Sequence, residues 1–319
     1  EVIYQHQQDG GLAAMSRDES LLVISHSEHG DSRHPALRVV RTDGTTVAEK
    51  WDGPGKGLDA LEFAPVPGDP RLLVVHERRG KEELLIWDVV ADTETELHLD
   101  LPGEVVADWY PDGKALLIAH TYRARTTVHR YDLESGVLTA LPTPAGTVVG
   151  ATVRPDRSVE YVWSAAESPA LVRTISAEGD DRVLLTPPGE RAPGSVPVSD
   201  VFVEVPYGPN DSVHALVAKP EGAGDGPMPT VFNLHGGPHA ADEDRFSAYR
   251  AAWLDAGFAV VEINYRGSTG YGSAWRDALE GRPGLTELED VAHVHDWAVK
   301  SGLTTPELSV VAGASWGGY

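Results

Sequence analysis

A serine between glycines near the end of the sequence could act as a nucleophile. Gly313-Ala314-Ser315-Trp316-Gly317 follows the apolar run Leu308–Ala312 and has the pattern G-x-S-x-G. In this pattern a strand turns sharply into a helix and lifts the serine hydroxyl clear of the sheet. Glycines are needed because side chains would collide with the neighbouring backbone in so tight a turn. An ordinary glycine-rich turn would also fit, so the rest of the chain has to decide.

A serine nucleophile needs a base and hydrogen-bond donors for the oxyanion that develops. One donor of such a turn is the backbone N–H of the next residue, here Trp316, and the other comes from the loop after an earlier strand. His235-Gly236-Gly237-Pro238 follows the apolar run Thr230–Leu234 at that place. Taken alone it could be only a turn. Together, the two segments predict an acyl-transfer site.

The elements that would position this site alternate between strands and helices. The sequence predicts a hairpin joined through Pro206–Asn210, followed by apolar strands and amphipathic helices. A capping box of Thr286 and Glu289 should begin the second helix. Such strands, joined by helices, indicate a parallel sheet covered on both faces, with Ser315 at the carboxyl end of a strand. The predicted strands are 201–205, 212–218, 230–234, 258–263 and 308–312, and the helices are 246–256 and 286–301.

The first part of the chain repeats a different unit. Turn signals recur about 44 residues apart, each followed by an apolar strand, and a second turn completes each unit. Four strands with this period are typical of a propeller blade. An irregular β-sandwich is the rival, and the regular spacing disfavours it. The first turns of the units are Ser16–Glu19, Pro67–Pro70, Pro111–Lys114 and Pro155–Ser158.

We therefore expect two domains on either side of a proline- and glycine-rich linker, Thr186–Ser199. Residues 1–190 are predicted to be β-propeller blades. Residues 191–319 are predicted to be the N-terminal part of an α/β-hydrolase catalytic domain. Four complete blades are at the low end for a closed ring, and Glu1–Gln5 resembles the last strand of a further blade. The expected fold is thus an incomplete propeller of about four blades followed by an incomplete hydrolase that ends at the nucleophile elbow.

Three motifs together resemble the prolyl oligopeptidase family of serine peptidases, in particular its acylaminoacyl-peptidase and dipeptidyl-peptidase branches. They are Leu234–Pro238, the segment Asn264-Tyr265-Arg266-Gly267-Ser268-Thr269-Gly270-Tyr271-Gly272, and Gly313–Tyr319. The likeness is strong over about residues 200–319. Before residue 185 it rests only on the propeller pattern, which that family also has.

The resemblance implies a function and roles for individual residues. It makes Ser315 the nucleophile and assigns the oxyanion-hole amides to Gly237 and Trp316. Asn264–Gly272 would be a turn that shapes the site. Short peptides would be the substrates. The enzyme would be of the aminopeptidase or acylaminoacyl-peptidase type and would cleave them through an acyl-enzyme. The propeller would restrict access by larger substrates.

The sequence departs from this family after the serine. In α/β-hydrolases the acid and the histidine follow the serine in the chain, and here the sequence stops at Tyr319. His235 and His239 sit in the oxyanion loop and are not expected to act as the base. We therefore expect the chain to be a middle portion of a longer peptidase. A remaining hydrolase segment that carries the aspartate and the histidine would be its required partner, and without it we expect no turnover.

Composition limits the other partners. The net charge of −23 argues against nucleic acid and anionic membranes, and no apolar run is long enough to cross a membrane. Without cysteine there is no thiolate catalysis. His26, His29 and His34 lack the spacing of a metal motif and are predicted to be surface residues. We expect no metal and no cofactor. We also expect a cytoplasmic location, because the first residues lack the pattern of a signal peptide. The sequence does not indicate the oligomeric state.

Two other functions stay open. An esterase of the same fold would use Ser315 on small acyl esters, although an access-limiting propeller suits peptides better. A non-catalytic propeller that binds a protein partner is the second alternative, and the intact Ser315 and oxyanion segment disfavour it.

Overall fold

A computed structural model describes residues 2–206 and 211–319 of the chain. Residues 207–210, within the predicted Pro206–Asn210 connection, lie outside the described residues. Among the described residues, no helix is both long and apolar enough to cross a membrane.

The N-terminal part consists of four antiparallel sheets of four strands each, and the strands of each sheet are consecutive in the chain. This arrangement is consistent with the blades of a β-propeller. The strands are β1 (Gly10–Met15), β2 (Leu21–His26), β3 (Ala36–Arg41), β4 (Thr46–Lys50), β5 (Leu58–Phe63), β6 (Arg71–His76), β7 (Glu83–Asp88), β8 (Thr93–Leu97), β9 (Glu104–Trp109), β10 (Ala115–Tyr122), β11 (Arg125–Asp132), β12 (Leu138–Ala140), β13 (Thr147–Val153), β14 (Val159–Ala165), β15 (Ser168–Ile175) and β16 (Asp181–Leu185).

The repeated turns of the sequence join the first and second strands of each sheet, as predicted. The third turn, for example, is closed by backbone bonds from Tyr110 N to Ala115 O and from Gly113 N to Tyr110 O. An aspartate side chain also accepts a backbone N–H in each of these turns, as Asp112 does from Lys114. Local hydrogen bonds of this kind explain why the period could be read from sequence.

Neighbouring sheets pack against each other through both of their faces. On β6, Leu72 packs in a cluster with residues of the first sheet, whereas Leu73 packs in a cluster with residues of the third. Successive side chains of a strand point to opposite faces, so each central sheet contributes to two cores. The large side chains Trp87 and Tyr161 are fully buried in these clusters.

Two expectations for the N-terminal part are wrong. Residues 2–5 form no strand, so the strand predicted at Glu1–Gln5 is not formed among the described residues. His26 and His34 are buried, at 1% and 8% exposure, rather than on the surface. His26 ends β2, a central strand of its sheet, and its Nε2 lies 3.7 Å from Oε1 of Glu49 on β4. Of these three histidines, only His29 has the exposed side chain that was predicted.

The C-terminal part is one five-stranded sheet with helices on both sides, reached through residues 186–198, which contain no helix or strand. Its spatial order is β17-β18-β20-β19-β21. The last three strands in this order are parallel, but β17 and β18 pair antiparallel and β18 is antiparallel to β20. The sheet is therefore mixed and not parallel throughout. A short connection joins β17 to β18, so the chain reverses direction and these two strands pair antiparallel. The strands are β17 (Ser199–Glu204), β18 (Ser212–Ala218), β19 (Thr230–Leu234), β20 (Ala259–Asn264) and β21 (Ser309–Gly313).

The helices α1 (Ala248–Asp255), α2 (Ser273–Arg276) and α3 (Thr286–Lys300) accompany this sheet. Val260 packs with Leu254 of α1, and its neighbour Val261 packs with Val294 of α3. Because neighbouring strand residues face opposite sides, α1 and α3 cover opposite faces, as predicted.

The predicted capping box of α3 is wrong. The residue before the helix is Leu285, and no side chain caps it. The Glu289 carboxylate instead accepts hydrogen bonds from Arg266 and Arg282, both at 3.0 Å. Leu288 of this helix is 60% exposed, although its side chain is apolar.

Candidate active site

The turn that carries Ser315 starts at the carboxyl end of β21, which pairs in parallel with β19. Ser315 has φ 54°, the left-handed region that side chains rarely adopt. A Cβ on Gly313 would overlap the carbonyl oxygen of Gly317, and a Cβ on Gly317 would overlap that of Leu234. The two glycines of G-x-S-x-G are therefore required by backbone contacts within the turn and with β19, which is the reason that the sequence predicted.

The segment after β19 meets this turn. A Cβ on Gly236 would lie 3.3 Å from Cβ and 3.8 Å from Oγ of Ser315. Gly237, the next residue, has φ +128°, and a Cβ there would lie 2.7 Å from the backbone N of His239. The fold thus brings the two predicted motifs together, with Gly236 so close to the serine that an added methyl group would be crowded by it. The assignment of the oxyanion-hole donors to Gly237 and Trp316 stays a prediction.

His235 is held away from the role of a base. Its Nδ1 lies 2.8 Å from the carbonyl oxygen of Gly236, and its Nε2 lies 2.8 Å from Oγ of Ser268. The ring stacks on Tyr265 at a centroid distance of 4.3 Å. Burial lowers the pKa of His235. Both ring nitrogens therefore have partners other than Ser315, as expected for a residue that shapes the loop.

His239 is likewise engaged elsewhere. Its Nδ1 is 3.1 Å from the carbonyl oxygen of Gly267, and its Nε2 is 2.8 Å from Nη2 of Arg33. A carbonyl only accepts and a guanidinium only donates. The proton is therefore on Nδ1, and Nε2 accepts from Arg33.

The segment Asn264–Gly272 holds the glycine segment, His235–His239, in place through hydrogen bonds. The Tyr265 hydroxyl donates to the carbonyl oxygen of His235 at 2.6 Å, and Thr269 N donates to Ala240 O at 2.9 Å. Together with the Ser268 and Gly267 contacts to the two histidines, these hydrogen bonds hold the two segments against each other. This agrees with the expectation, drawn from the family resemblance, that the segment shapes the site without reacting.

A carboxylate that the sequence reasoning missed supports the serine turn. Glu287 of α3 accepts from the Trp316 indole Nε1 through Oε1 and from Gly284 N through Oε2, both at 2.8 Å. Glu287 is only 7% exposed, so this bond fixes the Trp316 side chain in a shielded place. Glu287 lies four residues before Val291 and seven before Val294, on the buried face of α3, where a carboxylate needs a partner. This spacing was the only signal available in the sequence.

Within residues 2–206 and 211–319, no hydrogen bond joins the Ser315 hydroxyl to a histidine or a carboxylate. The arrangement thus presents a serine and a backbone segment beside it. It can hold a carbonyl carbon over the serine and a developing oxyanion near backbone amides.

Comparison with known proteins finds a matching family and similar sequences. The model of the prolyl oligopeptidase family matches residues 244–319. Dipeptidyl aminopeptidase BIII of Pseudoxanthomonas mexicana is 28% identical over 258 residues, which cover 78% of this chain and 36% of that protein. The acylamino-acid-releasing enzyme of Arabidopsis thaliana is 33% identical over 129 residues, covering 39% of this chain and 16% of the relative.

Solved structures show the same fold. A puromycin hydrolase matches with a TM-score of 0.81 at 24% identity, covering 97% of this chain and 49% of that one. The chain thus spans about half the length of this structure, and about a third of the aminopeptidase. The family model and the match to the aminopeptidase confirm the predicted resemblance to the prolyl oligopeptidase family, which is a family of serine peptidases.

Proposed function

We propose that this protein is a serine peptidase that hydrolyses short peptides through an acyl-enzyme on Ser315. The observation that carries the proposal is the approach of Gly236 to Ser315, at the carboxyl ends of the adjacent parallel strands β19 and β21. Relatives of this chain carry the names dipeptidyl aminopeptidase and acylamino-acid-releasing enzyme, which favours substrates cleaved near their amino end.

In the proposed reaction, Oγ of Ser315 attacks the carbonyl carbon of the scissile peptide bond while a base takes its proton. The new Oγ–C bond gives a tetrahedral intermediate, whose oxyanion accepts hydrogen bonds from the backbone amides of Gly237 and Trp316. The C–N bond then breaks, and the base returns the proton to the leaving amine. Water hydrolyses the acyl-enzyme by the same steps and releases Ser315.

We propose that the base and its acid come from a hydrolase segment outside residues 1–319. His235 and His239 flank the glycine pair, but their ring nitrogens are engaged by Gly236, Ser268, Gly267 and Arg33. In α/β-hydrolases the acid and the histidine follow the nucleophile in the chain. That segment would also pair with or cover β21, whose Val310 and Val311 are 41% and 62% exposed.

The finer description of the fold is also a proposal. The four sheets would be four propeller blades, within residues 1–190, and residues 191–319 would be part of an α/β-hydrolase domain. Contacts between their first strands support this, since β1, β5, β9 and β13 lie next to one another in order. The propeller would then limit the substrates to short peptides.

The test is hydrolysis of peptide anilides with free and with blocked amino ends by the full-length protein and its Ser315→Ala variant. We expect one of the two substrate classes to be cleaved and the variant to lose at least about 10³-fold in kcat. Cleavage of p-nitrophenyl esters without cleavage of any peptide would point to an esterase and contradict the proposal.

A further inference from the structure

One side chain of the N-terminal part reaches into the glycine segment beside Ser315. Arg33 lies in the loop between β2 and β3, and its Nη2 donates to Nε2 of His239 at 2.8 Å. The two residues are 206 positions apart in the chain. His239 is two residues after Gly237, the predicted oxyanion donor. A loop of the N-terminal part is therefore hydrogen-bonded to the segment that faces the nucleophile.

The loop that presents Arg33 is fixed by its own hydrogen bonds. Oδ1 of Asp31 accepts from Arg33 N at 2.8 Å and from His34 N at 2.9 Å. Gly30, at φ +87°, packs so tightly that a Cβ would overlap the carbonyl oxygen of His34. Such a turn holds the backbone from which the Arg33 side chain extends.

The guanidinium also pairs with two carboxylates of the C-terminal part. Its Nη1 lies 2.7 Å from the carboxylate of Glu280, and its Nη2 lies 2.9 Å from that of Asp277. Asp277 also accepts from Arg276 at 2.9 Å. Because the guanidinium is planar, these carboxylates set the direction in which Arg33 donates to His239.

The contact also sets the state of the His239 ring. Since Arg33 only donates, Nε2 of His239 must be unprotonated, and the proton on Nδ1 is directed to the carbonyl oxygen of Gly267. The ring thus bridges the loop of Arg33 and the segment Asn264–Gly272. Removal of Arg33 frees one side of this bridge.

We propose that Arg33 is a positioning residue of the active site, which acts through His239 on the distance between the segment His235–His239 and Ser315. This inference rests on the proposed peptidase function. It makes the loop of the N-terminal part a component of the catalytic site and not only a barrier to large substrates.

The expected loss of kcat in Arg33→Met is modest, because Arg33 contacts neither Ser315 nor an oxyanion-hole donor directly. Removal of a donor in an oxyanion hole costs about 10²–10³ in kcat, and a misplacement of about 1 Å costs about 10². Arg33 acts through His239, and its removal only loosens the segment His235–His239, so we expect Arg33→Met to lower kcat by about tenfold. The substrate gains no contact with Arg33 in this scheme, so KM should change by less than about twofold.

Arg125 provides a matched control. Its side chain is 31% exposed, like that of Arg33, and it pairs with two carboxylates of the C-terminal part, Asp200 at 2.8 Å and Asp244 at 3.1 Å. It makes no contact with His235–His239 among the described residues. Arg125→Met therefore removes an equal number of ion pairs between the two parts without loosening the glycine segment.

The experiment compares wild type, Arg33→Met, Arg33→Lys and Arg125→Met in the full-length protein. It measures kcat and KM for a cleaved peptide anilide and the rate at which a fluorophosphonate labels Ser315. We expect slower labelling and lower kcat in Arg33→Met, partial recovery in Arg33→Lys, and values within about twofold of wild type in Arg125→Met. ¹⁵N NMR of the His239 ring should report the Nδ1–H tautomer in wild type and a mixture in Arg33→Met.

Three outcomes count against the inference. Equal losses in Arg33→Met and Arg125→Met would mean that Arg33 only joins the two parts. A raised KM with unchanged kcat would make Arg33 a contact for substrate, and unchanged kinetics would refute its positioning role. In each case a reactive wild type leaves the proposed peptidase intact. A wild-type protein that neither is labelled nor cleaves peptides refutes the proposed function, and the inference falls with it.

Discussion

Gly236→Ala is the substitution that probes the meeting of the two motifs most selectively. Gly236 does not need a left-handed backbone, so alanine can adopt its conformation, and the only new contacts come from one methyl group. That group would lie 3.3 Å from Cβ of Ser315 and 3.2 Å from the carbonyl oxygen of Ala314. Both distances are shorter than ordinary van der Waals separation, so the segments must part by a few tenths of an ångström.

The magnitude follows from this displacement. If about 1 Å of misplacement costs about 10² in rate, a few tenths should cost about three- to tenfold. Stability should change little, because Gly→Ala removes unfolded-state entropy worth about 0.4–1 kcal/mol, which offsets a strain of similar size. We therefore expect loss of reactivity without loss of stability.

The assay is the second-order rate of fluorophosphonate labelling of Ser315, with the melting temperature measured in parallel. Gly11→Ala is the control, since a Cβ on Gly11 would have nothing within 4 Å. Equal labelling rates in wild type, Gly236→Ala and Gly11→Ala would mean that Gly236 does not border the reactive serine, and would refute the reasoning.

Two predictions concern buried charges. Arg250 and Glu262 pair at 2.5 Å with 3% and 4% of their side chains exposed, so Arg250→Met should cost about 3–5 kcal/mol in urea unfolding. The double variant with Glu262→Gln should lose clearly less, and equal losses would show that the pair is not coupled. Burial raises the pKa of Glu82 to about 7, although Arg276 lies 3.3 Å away. In an unfolded chain this carboxyl ionises at about pH 4.3. Between about pH 4.3 and 7 the unfolded state therefore releases the proton while the folded state keeps it, so the free energy of unfolding falls as the pH rises through this range. Glu82→Gln should remove on the order of 1–2 kcal/mol of that fall, seen by unfolding at pH 5 and pH 8, and an identical pH dependence in both proteins would contradict it.

The features that sequence predicted well are those set by local interactions. The repeated turns are closed by hydrogen bonds over a few residues, as from Gly113 to Tyr110. The glycines of the serine turn are required by contacts within the turn and with the adjacent β19. Turn chemistry and strand periodicity therefore located the strands to within a few residues.

The features that sequence missed depend on contacts between distant segments. Glu289 leaves the predicted capping box because Arg266 and Arg282 bind it. His26 lies 3.7 Å from Glu49 in the folded chain, and both His26 and His34 are buried. The bond of Arg33 to His239 joins segments 206 residues apart, which no local pattern records.

The central claim is that Ser315 is a nucleophile, and the most direct measurement is the site of covalent labelling. The full-length protein would be treated with a fluorophosphonate, digested and mapped by mass spectrometry, beside its Ser315→Ala variant. We expect one adduct, on the peptide that contains Ser315, and none in the variant. Equal labelling of the Ser315→Ala variant, or an adduct on another serine, would contradict the assignment.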